Sequence, residues 1–146
     1  FYLLLYMISL FMIIVSYLCI NDLNEYELQI SDYRGFAHSS PILSGFMVIS
    51  LGSLAGIPPL GGFIAKLLIL YYAYSFELYA IVCVALIGVV ISMYYYFGWI
   101  REVFEKVVKG TLELSVTNSI LLILLVFSVV LILSGLYPAL FFYFLN

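Results

Sequence analysis

The sequence predicts an all-α integral membrane protein of about four transmembrane helices, the second of them discontinuous. Three observations lead there. Of the 146 residues, 66% are hydrophobic and only 9% charged, against about 25% charged in a soluble domain, and the mean hydropathy is +1.24. The apolar residues come in charge-free runs of roughly twenty, the length that crosses a bilayer core. One run is interrupted by "GSLAGIPPLGGFIAK", residues 52–66, where four glycines and two prolines stand beside a solitary lysine. A dispersed net charge of −3 offers no footprint for a nucleic acid.

Each element follows from the order of residues. Phe1 to Asn21 is uncharged and reads as the first helix, without the basic flank or small-residue cleavage site of a signal peptide. Asp22 to Ser40 is a polar connection with four acids, Arg34 and His38. Pro41 then stands where the first turn of a helix tolerates it. Leu78 to Ile100 is a clean span. Beyond it Val103, Phe104, Val107 and Val108 recur at helical spacing among charges, which predicts an interfacial extension ending near Gly110. Ile120 to Leu145 is the last apolar run, bent or ended by Gly135 and Pro138. The expected helices are about 1–21, 41–76 (broken), 78–109 and 119–143, forming a single transmembrane domain over 1–146.

The cations orient such a chain. With four spans, connections 22–40 and 101–118 share one side of the membrane, and Arg34, Arg101, Lys106 and Lys109 all lie there. The turn around Glu77 and the C-terminus hold no Lys or Arg, so the positive-inside rule puts the two long connections in the cytoplasm or mitochondrial matrix. Tyr94, Tyr95, Tyr96 and Trp99 precede the basic side as an aromatic belt. Heavy use of Tyr, Phe, Ile and Leu, with their AT-rich codons, points to an organellar genome. Cys19 and Cys83 lie in separate apolar runs with no CxxC and no neighbouring His, and read as small hydrophobes rather than redox or metal groups.

The run from Ile42 to Phe76 is too long for one crossing. As a straight helix it would reach roughly 52 Å, against a hydrocarbon core of roughly 30 Å. Two half-helices joined by irregular backbone at Gly56–Gly62 resolve the excess. Pro58 and Pro59 remove two donors and push Ile57 from helical angles. Gly61 and Gly62 let the chain turn and another backbone approach. Freed polar groups at that depth need protein or a water-filled cavity beside them, so the break should face inward. Lys66 falls on the second half-helix, roughly 15 Å from the turn at Glu77 and near the midplane, too deep for its stem to reach the interface. An amine at a helix centre costs roughly 2.5–3.5 kcal/mol, and an amine withdrawn from water yields its proton more readily than one in solution. A broken helix with an ionisable midplane residue is a mark of ion-moving proteins, so Lys66 is the candidate proton relay.

These residues resemble a known family. Asp32-Tyr33-Arg34-Gly35, Ser40-Pro41, "SLAGIPPLGGFIAK" (53–66), "MYYYFGWIREVF" (93–104) and "SGLYPALF" (134–141) are similar to chain 2 of NADH:ubiquinone oxidoreductase, respiratory complex I, whose bacterial counterpart is subunit N. The resemblance covers the whole chain but only the last four of that family's fourteen helices. It implies an antiporter-like subunit of a proton-translocating NADH:ubiquinone reductase in the mitochondrial inner membrane, with the long connections on the matrix side. It also implies that Lys66 is the lysine of the second broken helix on the central hydrophilic axis, and that flavin and iron–sulfur centres belong to other subunits. The family's first broken helix, its lysine and its acidic partner have no counterpart here, so a separate chain supplying the N-terminal part is expected, unless the sequence is truncated. Two other readings stand beside this one: a non-conducting structural or assembly subunit of the same membrane arm, and a subunit of a multi-subunit cation/proton antiporter.

Other polar residues have two readings each. His38 either feeds protons from the basic side or is a solvated loop histidine. Glu77 is an exit-side acid or simply the turn residue. Tyr71, Tyr72 and Tyr74 either hold water near Lys66 or pack. Ser44, Ser50 and Ser53 are expected to satisfy carbonyls freed by the break. Glu102, Glu105 and Glu113 alternate with Lys106 and Lys109 as a salt-bridged surface face.

Overall fold

Six helices carry the regular structure of the residues described by the computed structural model, which are 1–19, 36–105 and 117–137. They are α1 (Tyr2–Leu18), α2 (Phe36–Ser39), α3 (Pro41–Ala55), α4 (Gly61–Ser75), α5 (Tyr79–Phe104) and α6 (Asn118–Leu136). α5 and α6 are long and apolar enough to cross a membrane, while α1 and α3 are shorter apolar helices.

α3 is the hub. Ser40 enters it in extended backbone (φ −145°, ψ 94°), and Pro41 takes a first-turn position where its missing N–H is no loss. It packs against each of the other five helices. Its Leu43, Met47 and Leu51 are wholly buried with Leu5 and Met12 of α1 and Leu124 and Leu131 of α6. Serines punctuate the same contacts: Ser9 and Ser16 on α1, Ser44, Ser50 and Ser53 on α3, Ser128 and Ser134 on α6 are all buried. Small residues let helices approach closely where lipid offers no hydrophobic drive to associate. Ser9, Ser44, Ser50, Ser128 and Ser134 each donate to a carbonyl three or four residues back, so most of these hydroxyls are satisfied by their own helix. α5 differs. Only Val103 of its 26 residues is buried, and Val84, Ile87, Val90 and Ile91 all face outward.

The interruption expected in the second apolar run is present but shorter than the sequence implied. Only Gly56 to Leu60 lies outside the two half-helices. Gly61 and Gly62 are in the first turn of α4, because the donor-less prolines end before them and extended Leu60 (φ −82°, ψ 152°) already starts the new helix. The close approach expected of these glycines is real. A Cβ on Gly62 would overlap the Ser53 carbonyl, and one on Gly61 would overlap the Ser134 hydroxyl. On the facing helix a Cβ on Gly135 would overlap the Pro59 carbonyl. The break is thus clamped between α3 and α6. The flanking residues Leu51 to Gly56 are buried, whereas Pro58 and Pro59 themselves, joined by a cis peptide bond, are exposed.

Other boundaries also move. The third long helix stops at Phe104, short of the expected 109, and Glu105 is extended (φ −67°, ψ 137°). Glu102 and Glu105 put carboxylates at the negative pole of a helix, which disfavours continuation. α2 was not foreseen in the polar connection; Phe36, wholly buried, holds it beside α3 and α5. The expectations for Asp22 to Arg34, Gly110, Glu113 and Pro138 fall outside the described residues.

Substituting Gly62→Ala or Gly135→Ala forces backbone apart and should cost about 1–3 kcal/mol each, read as a lowered thermal midpoint of the solubilised assembly. Gly45→Ala, where a Cβ meets nothing, should leave the midpoint unchanged or raise it slightly, since alanine is the better helix former by up to about 1 kcal/mol.

Candidate functional site

An α-helix that ends inside a protein leaves its last four carbonyls without helical partners. At the end of α3 these belong to Gly52, Ser53, Leu54 and Ala55, and every one is accounted for. Gly56, in the left-handed region (φ 84°, ψ 45°), turns the chain so that its N–H donates to Gly52 and Ser53 (3.0 and 3.1 Å) and the Ile57 N–H donates to Gly52 (2.9 Å). The two that remain are met by Lys66. Its Nζ donates to the Leu54 carbonyl at 2.6 Å and to the Ala55 carbonyl at 3.3 Å.

This arrangement answers why the lysine stands ten residues beyond Gly56. α4 folds back beside the end of α3, and Lys66, one turn in from Gly62, reaches across the break. Gly56 makes the reach possible, since a Cβ there would press on Lys66 Cδ at 3.3 Å and Nζ at 3.5 Å. The ammonium lies at the negative pole of α3, where a cation is favoured. The serines do not perform the task the sequence suggested for them. Ser44 and Ser50 bond Pro41 and Met47 inside α3 (3.0 and 2.7 Å), and Ser53 donates to none of the freed carbonyls. A flexible lysine crosses from a second element, whereas a serine hydroxyl reaches only one turn back along its own helix.

Lys66 borders two connected spaces. A small pocket between α1, α3 and α4 is walled by Tyr2, Tyr6, Ser9, Ser53, Gly62 and Lys66. A cleft of about 430 Å³ continues from it between α1 and α5, where Tyr2 and Tyr6 face Ser92 and Tyr96 across Lys66. The Tyr2 and Tyr6 rings stack with centroids 6.0 Å apart. The cleft therefore gathers three tyrosines and Ser92, whose hydroxyl donates to the Gly88 carbonyl of its own helix at 2.7 Å, around a single amine. That set can hold water and pass protons but has no nucleophile–base pair for covalent chemistry.

The remaining sequence candidates are not brought to this place. His38 is exposed on α2, at the far end of α3, roughly 22 Å along that helix. Glu77 is exposed in the turn between α4 and α5, roughly 16 Å along α4 from Lys66. There it holds a left-handed conformation (φ 60°), with its N–H on the Tyr74 carbonyl and the Leu78 N–H on that of Ala73. α4 thus closes by the same motif as α3, with glutamate where α3 has glycine. Tyr71 is exposed and set edge-on to Tyr72, outside the cleft. Reasoning from sequence missed Tyr2 and Tyr6, whose four-residue spacing puts them on one helix face. It also placed Tyr96 in an aromatic belt; Tyr94 and Tyr95 are outward as a belt requires, but Tyr96 turns to the cleft.

Comparison with known proteins gives this geometry a family. The model described as NADH:quinone oxidoreductase/Mrp antiporter, transmembrane, matches residues 1–92, well over half of the chain. The chain belongs to that family. It is therefore a membrane-embedded protein, and the family's shared region includes the break and Lys66. Among its relatives, NADH-quinone oxidoreductase subunit N 1 of Opitutus terrae is 40% identical over 104 residues, 71% of this chain and 21% of the relative. NAD(P)H-quinone oxidoreductase subunit 2 of a Synechocystis species is 42% identical over 117 residues, 79% of this chain and 21% of the relative. A chloroplastic subunit 2 from Zygnema circumcarinatum is 44% identical over 81 residues, 56% of this chain and 16% of that one. The chain thus spans about a fifth of the length of the curated relatives it matches. Among solved structures, a chain of respiratory complex I from Thermus thermophilus with bound aureothin superposes with a TM-score of 0.77 at 23% identity, over 93% of this chain and 32% of that one, a likeness of fold.

Two backbone positions test the local account. Gly56→Ala should destabilise by about 1–2 kcal/mol because a Cβ is disfavoured at left-handed angles, and should also displace Lys66 from its carbonyls in a structure of the variant. Glu77→Gly should raise the thermal midpoint, equivalent to about 1 kcal/mol; an unchanged or lowered midpoint would show that the left-handed glutamate costs the turn nothing.

Proposed function

We propose that this chain is the C-terminal part of a proton-translocating, antiporter-like membrane subunit of respiratory complex I, contributing to proton pumping driven by electron transfer from NADH to ubiquinone. The observation that carries the reading is a single amine held on the open end of a broken helix, at 2.6 and 3.3 Å from two backbone carbonyls, and bordering a cleft that includes three tyrosines. A proton leaves an amine most easily where nearby groups can take it without a large movement, and Lys66 is the group in this arrangement that loads and releases it. The relatives named above are quinone oxidoreductase subunits, which favours this role over that of a cation/proton antiporter subunit.

In this reading the chain crosses the membrane four times, through α1, through α3 and α4 together, through α5 and through α6. Residues 22–40 and 101–118 lie on the matrix side of the mitochondrial inner membrane, following the cations Arg34, Arg101, Lys106 and Lys109. Among the described helices α5, almost unburied, has the most surface to offer lipid and neighbouring subunits. This reading assigns flavin and iron–sulfur chemistry to other subunits.

A second reading rests on the same two hydrogen bonds. An ammonium that caps α3 would be needed for architecture alone, in a structural subunit that conducts nothing. Lys66→Arg and Lys66→Met separate the two. Arginine keeps a fixed cation for the carbonyls but does not deprotonate in the working range; methionine removes both donor and proton. In reconstituted membranes with fully assembled complex, both variants should lower the ratio of protons pumped to electrons transferred. Methionine should in addition lower the thermal midpoint, with about 1–3 kcal/mol lost for the buried acceptors left unpaired. Wild-type pumping by both assembled variants would leave only the capping role.

A further inference from the structure

Around Lys66 two polar groups remain unmatched. An ammonium carries three donors, and the carbonyls of Leu54 and Ala55 take two. The Ser53 hydroxyl, in the last turn of α3 and 2% exposed, has no hydrogen-bond partner. It does not fold back onto its own helix as Ser9, Ser44, Ser50, Ser128 and Ser134 do. Leaving a buried hydroxyl in that state is costly, and buried polar groups without protein partners are commonly satisfied by water.

Both groups border the small pocket between α1, α3 and α4, whose volume is about 10 Å³. That is close to the least room a single water needs, and water also needs polar partners, which this pocket supplies. Gly62 keeps the space open, for a Cβ there would stand 2.9 Å from Ser53 Oγ. Ser16, the other buried serine without a partner, lines neither this pocket nor the cleft.

We propose that this pocket binds one water molecule between the Lys66 ammonium and the Ser53 hydroxyl, and that Ser53 is a positioning residue for the first proton carrier beyond Lys66. The pocket and the larger cleft share Tyr2, Tyr6, Leu54 and Lys66, so the water is the inner end of a path that leads between α1 and α5. In the transfer a Nζ–H bond breaks as an O–H bond forms on the water. The water passes one of its own protons to the next oxygen in the cleft, and so remains water. The relay role rests on the function proposed above; the water site does not.

The test is a map of the assembled membrane complex that resolves ordered water, for wild type and for Ser53→Ala, with NADH-driven proton pumping and electron transfer measured on both. Expected are a peak within hydrogen-bond distance of Lys66 Nζ and Ser53 Oγ in the wild type, its loss in Ser53→Ala with Lys66 still on its carbonyls, and a several-fold fall in protons pumped per electron. A dry pocket in a wild-type map that shows water elsewhere overturns the site. A peak lost in Ser53→Ala with unaltered pumping overturns the positioning role. Should Ser53→Ala fail to assemble, the wild-type map alone decides the site. If the water is present but Lys66→Met pumps normally, the site is upheld, the proposed function fails, and the relay role of Ser53 fails with it.

Discussion

A helix cannot be cut inside an apolar environment unless something else takes up the carbonyls at the cut. That constraint governs this chain. Two adjacent prolines stop α3 from continuing, and the two carbonyls beyond the reach of the Gly56 turn would each be left unpaired at about 1–3 kcal/mol. A lysine in a membrane helix is itself costly, by roughly 2.5–3.5 kcal/mol at the helix centre. The two penalties are of similar size and opposite need, one for a donor and one for acceptors. Joined as Lys66 with Leu54 and Ala55, they largely offset each other. Neither the break nor the lysine is easily understood without the other.

The surrounding helices hold that junction in place. α3 packs on both sides, and α6 bears on the break through Ser134 and Gly135, where absent side chains let the loop sit against the helix backbone. α1 supplies Tyr2 and Tyr6, and α5, which packs on α3 and α4 but buries only Val103, supplies Ser92 and Tyr96. The lysine stands where a well-packed core formed by α1, α3 and α6 meets a side left open by α4 and α5. Rigid support lies behind the amine and hydrated space can lie in front of it.

Much of this was legible in the sequence, and the parts that were not share a cause. The discontinuous run and the presence of Lys66 just beyond it follow from local features, namely run length, proline and glycine chemistry, and the rarity of charge. The resemblance to complex I chain 2 rested on the same motifs and agrees with the family to which the chain belongs. The partners of Lys66 did not follow, because they are backbone carbonyls eleven and twelve residues away, and a carbonyl leaves no trace in residue identity. Ser44 and Ser50 were natural candidates by type, yet geometry confines them to their own helix. Tyr2, Tyr6 and Tyr96 meet only through the packing of three helices, and among fourteen tyrosines nothing local marks them. His38 and Glu77 had suggestive chemistry, but His38 lies on α2 beyond the start of α3 and Glu77 in the turn after α4, both far from Lys66.

The exposed pair Pro58 and Pro59 has an effect on polarity as well as on shape. Neither has an N–H, so the stretch from Leu54 to Leu60 holds seven carbonyls but only five amides. Such a segment is short of donors by its covalent structure, before any fold is chosen. Lysine carries three donors and no acceptor, and is therefore the complement of that deficit. An ionised glutamate at position 66 would bring only further lone pairs to a place already over-supplied with them. The chemical character of the residue facing the break is thus set from across the turn, by two prolines that never touch it through a hydrogen bond.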